Sequence, residues 1–127
     1  MKRQEMPKLD VSEYVGEKTT IQKAEIQQQK YGIVAYFESD IIPFKDGDSL
    51  PDDKPLKASK MFKIFEDKDG ILFVGIDSSF DKFCASKGID SEKDLPEKIT
   101  VGTVLKAFIG KPVKVQMQKN GNFLEII

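Results

Sequence analysis

Val113-Lys114-Val115-Gln116-Met117-Gln118-Lys119-Asn120-Gly121-Asn122-Phe123-Leu124-Glu125-Ile126-Ile127 alternates apolar and polar residues on both sides of an Asn-Gly pair. Asn-Gly is the preferred centre of a type I′ turn, whose twist matches that of two antiparallel strands. A two-residue loop pairs Lys119 with Asn122, and therefore Met117 with Leu124 and Val115 with Ile126. One face is then wholly apolar (Val115, Met117, Leu124, Ile126), and the other carries Lys114, Gln116, Gln118, Phe123, Glu125 and Ile127. Turn chemistry and alternation demand the same register, so the chain is expected to close on a β-hairpin.

A second hairpin surrounds Asp67-Lys68-Asp69-Gly70-Ile71. With Gly70 in the left-handed conformation, a three-residue loop pairs Asp67 with Ile71. Continuing outward sets Phe65 against Phe73 and Lys63 against Gly75 on one face, with Ile64 against Val74 and Phe62 against Ile76 as a core face. Upstream, Lys18–Gln29 reads as a long polar strand whose buried side the pattern does not choose. Thr20, Gln22, Ala24 and Ile26 share one face, and Ile21, Lys23, Glu25 and Gln27 the other. Tyr31–Ser39 is a second strand rich in β-branched and aromatic residues, reached through a bend at Lys30-Tyr31-Gly32.

Between the hairpins, Ser78 and Asp81 have capping-box spacing, Phe80, Phe83 and Cys84 form a helical stripe, and Gly88-Ile89 makes a stop; a helix over 79–87 is predicted. Thr100 to Gly110 predicts a second helix, with Val101, Val104, Leu105 and Phe108 on its face. Residues 40–55 form an acidic loop with three prolines, long for a compact domain. Asp46 and Asp48 begin like a calcium loop, but the glycine is misplaced and no glutamate follows at the twelfth position, so a solvated loop is expected.

Composition narrows the function. The 127 residues are 39% hydrophobic and 32% charged, which is a globular balance. Histidine is absent, removing the commonest general base and the Ser/Cys–His nucleophile pairs. With Cys84 as the single cysteine, a Cys/His metal cluster within the chain is impossible as well. The paired carboxylates Asp52-Asp53 and Glu66-Asp67-Asp69 are explained by turn chemistry. A binding protein without enzymatic activity or cofactor is therefore expected. The lone cysteine, the missing apolar leader and the lack of a membrane-length apolar run predict a cytoplasmic protein with no membrane partner.

Net charge is −1, but the charges are segregated. Residues 40–55 hold five aspartates against two lysines, and residues 66–97 nine acids against four lysines. Residues 56–65 hold Lys57, Lys60 and Lys63 with no acid, and residues 98–127 five lysines against Glu125 alone. Such blocks predict one basic and one acidic face, unless the lysines merely solubilise strand edges.

Five or six strands with one or two short helices before the last hairpin predict a mainly β fold, an OB-like antiparallel β-barrel over 18–127 behind an N-terminal tail over 1–17. Leu56-Lys57-Ala58-Ser59-Lys60 with the aromatic strand after it resembles small OB-fold single-stranded DNA-binding proteins of archaea and their viruses. So do Phe80-x-x-Phe83 and the lead from Ile109-Gly110-Lys111-Pro112-Val113 into the closing hairpin. The resemblance implies binding of single-stranded DNA or RNA, though the chain departs from binding members in its pI of about 5.6 and its lack of tryptophan.

A single-strand binder needs aromatic platforms for bases beside lysines for phosphates. The candidates are Phe65, Phe73, Lys57 and Lys63 on the middle hairpin with Gly75 leaving room, Lys114 and Phe123 on the last hairpin, and Tyr36. Ordinary core packing beneath a loop or helix is the competing reading for each aromatic. The competing function is a protein-interaction module or accessory subunit of a replication or viral assembly, with the same aromatics as protein contacts.

Overall fold

The computed structural model describes Met1, residues 9–118 and residues 123–127. Strand β1 (Lys18–Gln29) turns through Lys30-Tyr31 into β2 (Gly32–Ser39), with Gln29 opposite Gly32. The face of β1 that the pattern left undecided is decided by a bulge at Gln22, where the register slips between Ile21 and Lys23. The extra residue resets the alternation, so Ile21, Ala24 and Ile26 all point inward although they do not share a parity.

Strand β3 (Ser59–Lys63) pairs antiparallel with β2, and β6 (Pro112–Met117) pairs with β7 (Leu124–Ile126). Strand β6 also pairs with the start of β1, and β7 meets β3, closing a five-stranded barrel in the order β1-β2-β3-β7-β6. This is the expected OB-like barrel, with one difference. The β3–β7 contact, Ser59 with Glu125, is parallel, so the barrel is mixed rather than wholly antiparallel.

The closing hairpin has the expected register: Met117 faces Leu124 and Val115 faces Ile126, while the Gln118 N–H donates to the Phe123 carbonyl. Val115, Leu124 and Ile126 are buried and Met117 packs against the core from its edge. The Asn120-Gly121 turn itself lies outside the described residues.

The middle hairpin is only partly as expected. Strands β4 (Phe65–Glu66) and β5 (Leu72–Phe73) pair Phe65 with Phe73, and the Asp67 N–H donates to the Ile71 carbonyl across the three-residue loop. The ladder stops there. Lys63 pairs with Val34 and Phe62 with Ala35 on β2, so the predicted pairs Phe62–Ile76 and Lys63–Gly75 do not form. Ile76 is 91% exposed rather than part of a core face. The barrel takes the hydrogen bonds of β3, and the hairpin projects from its end.

Helix α1 (Ser79–Ser86) has the expected ends. The Asp81 N–H donates to Ser78 Oγ at 3.3 Å. The Ile89 and Gly88 N–H groups donate to the Cys84 and Ala85 carbonyls, a Schellman stop with Gly88 at φ +71°. The second predicted helix is not formed. Gly102 sits at φ +95°, Val104 bridges to Glu25 on β1, and only a 3₁₀ turn over Lys106–Phe108 follows. Helical spacing put four residues on one face, but Val101 and Val104 are about half exposed while Leu105 and Phe108 are buried. Two β-branched residues around a glycine favour the extended bridge over a helix.

Phe37, Phe62, Phe80, Phe83 and Phe108 form one ring cluster inside the barrel and under α1. Upstream of β1, a 3₁₀ turn over Val11–Tyr14 packs on the same core, with Val11 and Tyr14 buried. The Tyr14 hydroxyl donates to Asp48 and accepts the Lys45 N–H at 3.0 Å, tying the acidic loop to this segment.

Between that anchor and Leu56 the backbone hydrogen bonds of the loop are local, Asp48 N–H to the Lys45 carbonyl and Lys54 N–H to the Pro51 carbonyl, while the Leu50 side chain packs against the core. Amides over 49–55 are therefore expected to exchange orders of magnitude faster than those of β2, as read by hydrogen-exchange mass spectrometry. Protection equal to that of β2 would contradict this arrangement.

Candidate nucleic-acid interface

The outer face of β2 and β3 is built from three cross-strand pairs: Val34 with Lys63, Tyr36 with Met61, and Glu38 with Ser59. Alternation places these outward because Ala35, Phe37 and Ser39 fill the interior. Ser39, fully buried, accepts the Ala58 N–H on its hydroxyl and donates its own N–H to the Ala58 carbonyl, both at 2.8 Å. That double link pins the end of the face where β3 begins.

Tyr36 and Lys57 meet at this end through one carboxylate. The Tyr36 hydroxyl donates to Glu38 at 2.8 Å, and Lys57 Nζ lies 2.9 Å from the other Glu38 oxygen. Burial, with the hydrogen bond to Glu38, pushes the Tyr36 hydroxyl up to about 12. Burial would raise Glu38 too, but the bonds from Lys57 and Tyr36 outweigh it and hold its carboxyl below the usual range. Lys57 is thus partly neutralised before any ligand arrives. Lys60 is in the same position, 3.1 Å from Glu125.

Lys63, Phe65 and Phe73 are brought together at the opposite end. The two rings stack with centroids 6.0 Å apart, and Lys63 Nζ sits 5.2 Å from the Phe65 centroid. Phe65 is half-buried and Phe73 is 44% exposed, so neither lies under the acidic loop as ordinary core. The room expected at Gly75 is already used: a Cβ there would stand 3.3 Å from the Phe65 ring. Gly75 admits the protein's own phenylalanine.

Tyr31 was not singled out by the sequence reading and belongs to this end of the face. It sits in the β1–β2 turn, 94% exposed, with Lys30 Nζ 5.6 Å from its ring centre. Its signal was a lysine-tyrosine-glycine bend, where the tyrosine has no strand partner to cover it. Neither Lys30 nor Lys63 has a carboxylate partner among the described residues.

Phe123 and Lys114 are placed apart. Phe123, 65% exposed, immediately precedes β7. Because β7 runs parallel to β3, it lies toward the Lys57 end. Lys114 lies on β6 opposite Lys18 and lines a cleft of about 430 Å3 with Lys87, Pro112, Val113 and Ile127, away from the β2–β3 pairs. Of the seven predicted residues, Tyr36 and Lys57 thus meet at one end of the β2–β3 face and Lys63, Phe65 and Phe73 at the other, while Phe123 and Lys114 join neither group.

No helix among the described residues is long and apolar enough to cross a membrane. Among the same residues, no group of three or more acidic or cysteine side chains is placed to hold a metal ion. Comparison with protein-family models, with curated proteins and with solved structures returns no match.

Proposed function

We propose that the chain binds single-stranded DNA or RNA, without catalysis and with little sequence preference, along the outer face of β2 and β3. The observation that carries this reading is the pair of lysine–aromatic contacts at one end of that face, Lys30 with Tyr31 and Lys63 with Phe65. Each offers a ring for a base beside an ammonium group that has no carboxylate partner among the described residues and is available to a phosphate. In OB-type barrels this face and the loops after the first and fourth barrel strands are where oligonucleotides lie. From Lys57 to Lys63 an extended chain spans about 20 Å at 3.3 Å per residue, room for a short single-stranded stretch. The face reads stacking surface and backbone charge, which every sequence shares, and duplex DNA hides its base faces.

Titration of a labelled oligothymidylate at two salt concentrations tests the proposal. Affinity should fall with salt at a slope of about −0.7 per phosphate contact, with roughly two to four contacts. Tyr31→Ala, Phe65→Ala or Phe73→Ala should each cost about 1–3 kcal/mol of binding where the ring stacks on a base. Lys63→Glu should weaken all oligonucleotides alike. A folded protein that binds no oligonucleotide at low salt overturns the reading and leaves a protein-interaction module as the better account.

A further inference from the structure

The β4–β5 hairpin borders a second surface, which shares Phe73 with the first. A groove of about 1040 Å3 runs between this hairpin and the segment after α1. Phe73, Ile76 and Leu95 contribute apolar walls, and Asp90, Glu92 and Glu97 line its edge. Lys93 is the only cation among its lining residues. Neither Glu92 nor Glu97 has an ion-pair partner among the described residues. The Asp90 carboxylate is occupied locally, accepting the Glu92 N–H at 2.9 Å.

Ile76 is held out into solvent. It occupies the turn in which the Ser78 N–H donates to the Gly75 carbonyl, and the next residue, Asp77, is a non-glycine at φ +59°. That conformation is uncommon for a residue with a Cβ and persists only where the surroundings enforce it. Here the Asp77 N–H is fixed by the Asp81 carboxylate on α1 at 2.9 Å. A nearly fully exposed isoleucine on a locked turn, beside a half-exposed phenylalanine and two glutamates without an ion-pair partner among the described residues, is an apolar surface with a defined charge complement.

We propose that this groove docks a segment of a protein partner in which apolar side chains are flanked by lysine or arginine. Its size lies at the upper edge of small-molecule pockets and suits a short helix laid with one apolar face inward. The carboxylates repel nucleic-acid phosphates and anionic lipid, so neither competes for this side of the hairpin. The groove shares Phe73 with the nucleic-acid reading, so the positions varied to test it, Ile76, Glu92 and Glu97, are chosen away from that ring and from the β2–β3 face.

The probe is a labelled fourteen-residue amphipathic peptide of leucine and lysine, compared with its counterpart carrying glutamate for lysine. Fluorescence anisotropy with the full chain should show saturable one-to-one binding of the first peptide only. Hydrogen exchange should slow over 72–76 and 95–99 in the complex. Ile76→Asp and the double variant Glu92→Lys/Glu97→Lys should each weaken peptide binding at least tenfold while leaving the thermal midpoint unchanged, and the double variant should not weaken oligonucleotide binding, since it replaces carboxylates that repel phosphate by lysines. Three results would overturn the proposal. They are absence of saturable binding, equal affinity of parent and Ile76→Asp, and self-association of the chain that Ile76→Asp abolishes, which would make a second copy the occupant.

Discussion

Replacing Phe37 by alanine should destabilise the fold by about 3–5 kcal/mol, a loss comparable with much of the stability of a domain this size. The reason is its position rather than its type. Phe37 is fully buried on β2, and its ring lies 4.7 Å from Phe108, 5.2 Å from Phe83 and 6.0 Å from both Phe62 and Phe80. It therefore joins β2, β3, α1 and the 3₁₀ turn before β6 in one packed unit. Removing it takes away buried area and leaves a void that four other rings fill only by leaving their own rotamers. Phe73→Ala is the control, because a ring 44% exposed on a projecting hairpin should cost about 1 kcal/mol or less. Urea unfolding followed by circular dichroism measures both. A Phe37→Ala loss below about 1 kcal/mol would mean the ring cluster does not hold the barrel together.

Such a core was legible where local chemistry and pattern agree. Asn-Gly with strict alternation gives one register for β6 and β7, and the Ser78 cap with the Gly88-Ile89 stop brackets α1. Legibility failed where tertiary competition decides. Nothing local indicates that Gln22 is a bulge, because the slip is set by the partner residues Ser39 and Glu38 on β2. Nor does the hairpin around Gly70 reveal that β3 will take its hydrogen bonds from β2 and strand Ile76 in solvent. In the segment 100–110, periodicity alone could not tell a helix from a bridge followed by a tight turn.

The candidate site was legible in part for the same reason. Phe65, Phe73 and Lys63 come together because one three-residue loop sets their spacing. Charge was less readable, since blocks along the chain do not show which acids arrive from elsewhere. Glu38 and Glu125 come from β2 and β7 to meet Lys57 and Lys60, so the all-lysine block 56–65 reduces to Lys63 as its member without a carboxylate partner among the described residues. Four acids of the block 66–97, Asp81, Asp90, Glu92 and Glu97, do line one groove beside the hairpin. A net charge of −1 thus divides into a face with three lysine–aromatic contacts, Lys23–Tyr36, Lys30–Tyr31 and Lys63–Phe65, and a groove lined by carboxylates.

Cys84 should react with a thiol reagent at pH 8 at least about a thousandfold more slowly than a free cysteine while the protein is folded. The thiolate is the reacting species, and burial, with the Asp81 charge one turn away, pushes the Cys84 thiol from 9.0 up to about 12. Three units lower the thiolate population by about 10³, and complete burial under the Phe80–Phe83 stripe denies the reagent access besides. The same shift makes stability depend on pH in a definite direction. Below pH 9 both states keep the proton and the contribution of the buried thiol is fully present. As pH rises from 9 towards 12 the unfolded chain gives up its proton while the native state retains it, so stability falls. Labelling followed by mass spectrometry then reports opening of the core: it should accelerate to the free-thiol rate above the urea midpoint. At pH 8 without urea, Phe37→Ala should accelerate it in proportion to the increase in the unfolded fraction. Rapid labelling of the folded parent would place Cys84 outside the core and remove α1 from the ring cluster that closes the barrel.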